Sequence, residues 1–274
     1  MRTLATLLFA ALVLPVHARA AVPKDPVAEA AAAYAALEKA DIETLSAELD
    51  LLIADPALVE PFAARDRAKL LAAARPKFDK LKAEKMITHW YFIEPEPSQR
   101  CFVRVHAPEL EGDRITRPTL VRAIATKKVG AGKELGQTAF ALRVVKPVRA
   151  KGQLVGYMEL GEEIGQFLTR MKKQTGDDYA LLADKERVDR AALASVRKED
   201  RWDERPDVVL IDSTVWNEAT VTLGASLAKL PEMGTRLPAW VDGDVRYVGG
   251  AFPLRDSSND VVGALFVRRA APAK

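Results

Sequence analysis

The stretch from Thr88 to Glu163 constrains this chain more than any other, because most of its residues read as consecutive strands with turns between them. Thr88 to Glu94 (THWYFIE) is a run of aromatic and β-branched residues, the composition that favours strands. Pro95, Pro97 and Ser98 interrupt it, and Cys101 to His106 reads as the next strand, close enough for a hairpin. Thr138 to Val145 and Gln153 to Leu160 read as a second pair, joined through Pro147 and Gly152.

Side chains on a strand alternate between its two faces. His89, Tyr91 and Ile93 therefore share one face of the first strand, and Trp90 and Phe92 the other. Phe102, Arg104 and His106 share a face of the second, which places Cys101 opposite them. Ala141, Arg143 and Val145 align on the third strand, and Val155, Tyr157 and Glu159 on the fourth. Each strand thus has one mainly apolar face. The other carries His89, Tyr91, Arg104, His106, Arg143, Tyr157 and Glu159. Alternation of this kind also describes an ordinary solvated sheet face. Aromatic and histidine side chains, where Lys, Glu and Thr would be usual, favour a pocket for a small organic anion or zwitterion.

These residues carry a family resemblance. HWYFIEP, FVRVHAPELEGDRITR, KELG, LRVVKPV and LVGYMELGEE resemble the extracytoplasmic Cache sensor domains of bacterial chemoreceptors and sensor kinases, closest to the double Cache (dCache_3) type. RYVGGAFPLRDSSNDVVGALFV resembles the end of the same domain, while the match is poor from about Val188 to Leu237. The resemblance implies an α+β fold of two lobes, with a long N-terminal helix packed on PAS-like antiparallel sheets. It also implies small-molecule sensing, and it leaves the ligand unnamed.

The chain opens with Arg2, a run of eleven residues from Leu4 to Leu14 that is apolar but for Thr6, and an A-x-A site at Ala18-Arg19-Ala20. This is the pattern of a cleaved export signal, and the run is short of the roughly 20 residues that a membrane-spanning helix needs. A periplasmic protein starting at Ala21 and not spanning the membrane is expected. Family sensors are tethered and continue into a signalling module, and neither feature is legible in this sequence. Without Arg2 and Arg19 the 41 basic residues become 39 against 38 acidic ones, so the net charge gives no electrostatic reason to expect nucleic acid. The single cysteine makes no internal disulfide and reads as a small buried hydrophobe.

Four segments are expected: a signal peptide over 1–20, a helical segment over 21–85, a ligand-binding lobe over 86–164 and a smaller α/β lobe over 165–274. Within the second, helices are expected over Val27–Ala54, Pro61–Ala74 and Pro76–Lys85, with Pro61 opening the second of them. A helix within Ile115–Lys128, starting near Thr116 or Arg117, should be followed by a flexible loop through Gly130, Gly132 and Gly136. The Glu111–Gly136 connection is expected to roof the pocket, with Arg114, Arg117, Arg122 and Glu134 as candidate lining residues. Glu162 to Thr175 reads as a helix. Tyr179–Ala183, Asp207–Ser213, Val245–Phe252 and Val261–Arg268 read as strands of the second lobe.

Catalysis finds little support. The sequence has no Gly-rich phosphate loop, G-x-S-x-G, H-E-x-x-H or C-x-x-C, and His89, His106, Cys101 and Glu94 lack the spacing of a known metal site. No catalytic residue, metal or cofactor is expected. The favoured reading is a sensor of an organic acid or amino acid, with Arg104 and Arg143 as carboxylate anchors and Tyr91 and Tyr157 as walls. The alternative is a ligand-free interaction module acting on a membrane receptor.

Overall fold

The computed structural model describes residues 25–136, 140–196 and 201–272; the leader and its cleavage site lie outside them. Helix α1 (Pro26–Ile53) begins where Asp25 Oδ1 accepts the Val27 N–H at 3.0 Å and Pro26 supplies a pre-set φ. Its alanine content favours helix, and Leu45, Leu49 and Leu52 recur on one buried face. At 1.5 Å per residue it is about 42 Å long. Helices α2 (Pro56–Ala63) and α3 (Arg67–Lys85) follow. Here the proline-based boundaries fail: Pro61 and Pro76 both lie inside helices. Aspartate caps set the starts instead, Asp55 accepting the Ala57 N–H at 2.9 Å and Asp66 the Lys69 N–H at 3.0 Å.

The first lobe holds β1 (His89–Ile93), β2 (Cys101–Arg104), α4 (Pro118–Thr126), β3 (Gly130–Leu135), β4 (Phe140–Ala150) and β5 (Gln153–Glu163). Its antiparallel sheet has the order β2-β1-β5-β4-β3. Strand β3 replaces the expected flexible loop. Gly130 is there for close approach: a Cβ would stand 1.9 Å from the Thr119 carbonyl oxygen, so α4 packs directly on the strand. Strand β5 also runs on to Glu163, and α5 (Gly165–Thr175) begins later than its apolar pattern suggests.

The second lobe repeats the plan with β6 (Asp178–Asp184), α6 (Arg190–Val196), β7 (Val208–Ser213), β8 (Thr235–Asp242), β9 (Val245–Arg255) and β10 (Val261–Ala270), in the order β7-β6-β10-β9-β8. Edge strand β8 is not legible in the sequence: Pro238 and a register shift between Leu237 and Trp240 break its alternation.

Helix α1 spans both lobes. Near its start Glu29 pairs with Arg269 at 2.8 Å, and Tyr34 packs against Phe252 and Phe167; near its end Asp50 takes Lys146 at 2.7 Å. One apolar core, including Leu45, Leu49, Phe62, Trp90, Phe92, Leu160, Phe167 and Leu265, lies between the helices and both sheets. The opposite face of each sheet is covered differently. In the second lobe Val215, Val221, Leu223, Leu227 and Leu230 fill it with apolar side chains. In the first, Ile115, Leu120 and Ala123 cover one region, and a cavity opens beside it. Among the described residues no helix is long and apolar enough to cross a membrane.

Candidate functional site

Register decides which polar side chains meet. On the outer face of the first sheet Arg104, Tyr91, Glu159 and Val145 form one row across β2, β1, β5 and β4. The next row is His89, Gly161, Arg143 and Gly132, and beyond it stand Glu163, Ala141 and Glu134. Gly161 keeps the middle row open: a Cβ there would lie 3.2 Å from that of His89 and 3.6 Å from Arg143 Cγ.

Over these three rows, from Arg104 and Tyr91 to Glu163, lies a cavity of about 800 Å3, within the range of small-molecule sites. His89, Tyr91, Arg104 and Arg143 line it from the sheet. Asp113, Arg114, Ile115, Thr116, Arg117 and Pro118 cover it, Glu134 to Gly136 form one side, and Arg187, Asp256 and Val262 reach it from the second lobe.

A fully buried carboxylate organises the floor. Glu159 accepts two bonds from Arg117 Nη2, both 2.8 Å, and one from Arg143 Nη1 at 2.6 Å. Burial opposes its charge, but the two guanidiniums outweigh that penalty and hold its pKa below the usual carboxylate range. Glu134 takes the Thr119 N–H at 2.8 Å through Oε1, while Oε2 stands 3.5 and 3.7 Å from the Nε atoms of Arg143 and Arg117. Burial raises its pKa, against the lowering effect of the Thr119 bond. Arg104 chelates Asp113 through Nη2 at 2.9 and 3.0 Å.

The three guanidiniums gather around one ring. Their Cζ atoms lie 4.7 Å (Arg117), 5.1 Å (Arg104) and 5.8 Å (Arg143) from the centre of Tyr91, within cation–π range. Each has one amine engaged by a carboxylate. Among the described residues no hydrogen bond takes Nη1 of Arg104, Nη1 of Arg117 or Nη2 of Arg143, and the Nε atoms of all three are buried without a hydrogen bond, those of Arg117 and Arg143 facing Glu134. His89 is neutral: burial, with Arg143 and the neighbouring cations, pushes its pKa down to about 2. His106, lowered to about 4 chiefly by burial, packs edge-on against His89 and Tyr91 at 4.8 and 4.9 Å.

The seven residues singled out from the sequence therefore separate. His89, Tyr91, Arg104 and Arg143 line the cavity. His106 braces the rings, its Nδ1 3.1 Å from the Trp90 N–H, and Glu159 lies beneath the floor as the counterion of two arginines. Tyr157 stands a row beyond Glu159, away from the cavity, and its hydroxyl donates to Glu96 at 3.0 Å. Of the roof candidates, Arg114, Arg117 and Glu134 line the cavity, whereas Arg122 turns to the carbonyls of Ala131 and Ser257.

Alternation fails at two places. The register passes from Phe92–Val103 to Ile93–Cys101, so Phe102 is an extra residue and packs against Phe62 on the helix side. Cys101 thereby shares the Tyr91 face with Arg104, contrary to strict parity. A second shift near Gly156 turns Val155 to the helix side. Burial pushes the Cys101 thiol up to about 11, which leaves it a poor nucleophile. Native protein at pH 8 should resist a thiol reagent and react fully once unfolded; rapid labelling of the native state would contradict this burial. Among the described residues no group of three or more His, Cys, Asp or Glu could hold a metal ion.

Residues 28–205 match the family described as a double sensory domain of two-component sensor kinases. The periplasmic domain of Vibrio cholerae LuxQ shares the fold at 12% identity and a TM-score of 0.51, over 89% of this chain and 99% of that one. A domain of a sensory box/GGDEF family protein of Vibrio parahaemolyticus aligns at 11% identity and a TM-score of 0.47, over 89% of this chain and 94% of that one. The sensory domain of the Campylobacter jejuni chemoreceptor Tlp3, solved with isoleucine bound, aligns at 10% and 0.39, over 88% and 96%. No curated protein sequence matches.

Proposed function

This chain belongs to the double Cache (dCache_3) family of sensory domains, and on that premise we propose that it is an exported, periplasmic sensor whose first lobe binds a small organic acid or amino acid. The carrying observation is the trio of Arg104, Arg117 and Arg143 around Tyr91, each with N–H groups that no hydrogen bond engages among the described residues, beside a cavity of ligand size. A planar guanidinium matches a carboxylate by two parallel bonds, and Lys does not reproduce that geometry. Glu159 and Asp113 orient the forks before a ligand arrives, which lowers the cost of ordering them on binding. Hydrogen bonds to charged groups contribute roughly 1.5–3 kcal/mol each. Two or three of them, with apolar contact, support affinity near a micromolar, about −8 kcal/mol.

Acidic groups at the cavity, Glu134 and Glu163, offer a partner for the ammonium of an amino acid. A thermal-shift screen of the purified protein against organic acids, amino acids and amines tests the reading. Carboxylates with or without an ammonium should raise Tm, and simple amines should not. Stabilisation by amines alone would overturn the anion class while leaving a small-molecule sensor, and stabilisation by nothing in the panel would move the interaction-module reading ahead, with a membrane receptor as its partner.

A further inference from the structure

The cavity is not confined to the first lobe. Its far wall comes from the second: Arg187 after β6, Asp256 at the turn between β9 and β10, and Val262 at the start of β10. That turn is fastened to the first lobe. The Ser257 N–H donates to the Lys133 carbonyl at 2.8 Å, Arg122 donates to the Ser257 carbonyl, and Ser257 Cβ packs where a Cβ on Gly132 would come within 2.7 Å. The wall therefore has a fixed place relative to the arginine trio.

Its two charged side chains differ in how firmly they are engaged. Asp256 Oδ1 accepts the N–H groups of Ser258 and Asp260 at 2.8 and 3.0 Å, so that carboxylate serves its own turn. Arg187 is held loosely. Its two amines stand 3.4 Å from Asp260 Oδ2 and its Nε 3.6 Å from Asp184, longer than the roughly 2.7–2.9 Å of charge-assisted bonds. Its side chain is 41% exposed. A guanidinium this weakly bound can redirect its donors to a stronger acceptor at small cost. Val262, in the same wall, is buried in the apolar core behind it and fixes the wall in place.

We propose that the cavity takes a ligand with two anionic groups, one held by Arg104, Arg117 and Arg143 and the other by Arg187, so that the occupied site bridges the lobes. This rests on the anion-site reading above and narrows its ligand class to diacids. A bridging ligand favours the arrangement of the two lobes it fits, which is what an occupancy-dependent conformational shift requires.

The test uses matched straight-chain monocarboxylates and α,ω-dicarboxylates of three to eight carbons, titrated calorimetrically into the full protein. At the best length the diacid should bind about tenfold or more tighter than the monoacid, the equivalent of one further charge-assisted interaction. Arg187→Ala should bring that ratio close to one, and Arg187→Lys should restore part of it. Thermal melting of both variants, at an exposed position, checks that they fold. Equal affinity of diacid and monoacid at every length, or an unchanged ratio in Arg187→Ala, overturns the bridging proposal alone. Binding of neither class overturns the anion-site reading with it.

Discussion

Relative to Glu162→Gln, which keeps the buried histidines His89 and His106, the wild-type protein should lose stability as the pH rises from 5 to 9. Glu162, at the end of β5, is 3% exposed and faces Asp41 of α1 and Arg170 of α5. Arg170 bonds Asp41, but its Nη1 is 3.6 Å from Glu162 Oε1, which is buried without a hydrogen-bond partner. Leu142 is its neighbour on β4, and Glu38, a turn away on α1, is engaged by Lys133. Two buried carboxyls thus share one cation. Burial, with Asp41 adding to it, pushes the Glu162 pKa up to about 8. Between its ordinary value of 4.5 and about 8 the folded state holds a proton that the unfolded state releases. Stability from this group therefore falls as pH rises through that window. A tenfold difference in proton affinity between the two states corresponds to about 1.4 kcal/mol, so the loss amounts to a few kcal/mol. Urea unfolding of wild type and Glu162→Gln should give similar stabilities at pH 5 and a more stable variant at pH 8.5. A stability difference between wild type and variant that stays constant across the window would contradict this.

Arg143→Ala should be among the most damaging single changes in the first lobe. Arg143 is 7% exposed and Glu159 not at all, so its loss leaves a buried carboxylate with Arg117 alone. Breaking a buried pair from one side costs about 3–5 kcal/mol, because the remaining charge stays desolvated. Adding Glu159→Gln to Arg143→Ala removes that charge and should recover about 1 kcal/mol or more, a coupling typical of residues in one network. Urea midpoints of the two single variants and the double variant measure it. Additive losses would mean that the pair acts independently. The same geometry makes Arg143 a poor probe of ligand binding, since its removal disturbs the fold.

Much of the architecture is legible in the amino-acid sequence. Aromatic and β-branched runs mark β1, β4, β5, β9 and β10, and alanine with spaced leucines marks α1. Within β1, and between Arg143 and Val145, alternation also places side chains on the correct face. It fails where the backbone departs from a regular pleat, at the Phe102 bulge and near Gly156, because one extra residue inverts every side chain beyond it. Tyr157 shares the face of Glu159 yet misses the cavity, since position along a sheet depends on register with neighbours. Strand β3 is hidden by glycines whose role is close packing, as at Gly130. Arg187, Asp256 and Val262 come from a different lobe, and nothing local marks them. The pairings of Glu159 with Arg117 and Arg143 likewise depend on approach across three elements.

If the arginine trio around Tyr91 anchors a carboxylate, Arg104 is the cleanest place to see it. Its partner Asp113 is half exposed, so losing Arg104 leaves that carboxylate solvated and the fold intact. Arg104→Ala removes the Nη1 and Nε donors beside Tyr91 without disturbing Glu159. Calorimetric titration of the best carboxylate from the screen into wild type and Arg104→Ala should show a loss of about 2 kcal/mol or more, roughly thirtyfold in Kd, with Tm of the free protein little changed. Unchanged Kd in a folded Arg104→Ala protein would contradict the assignment.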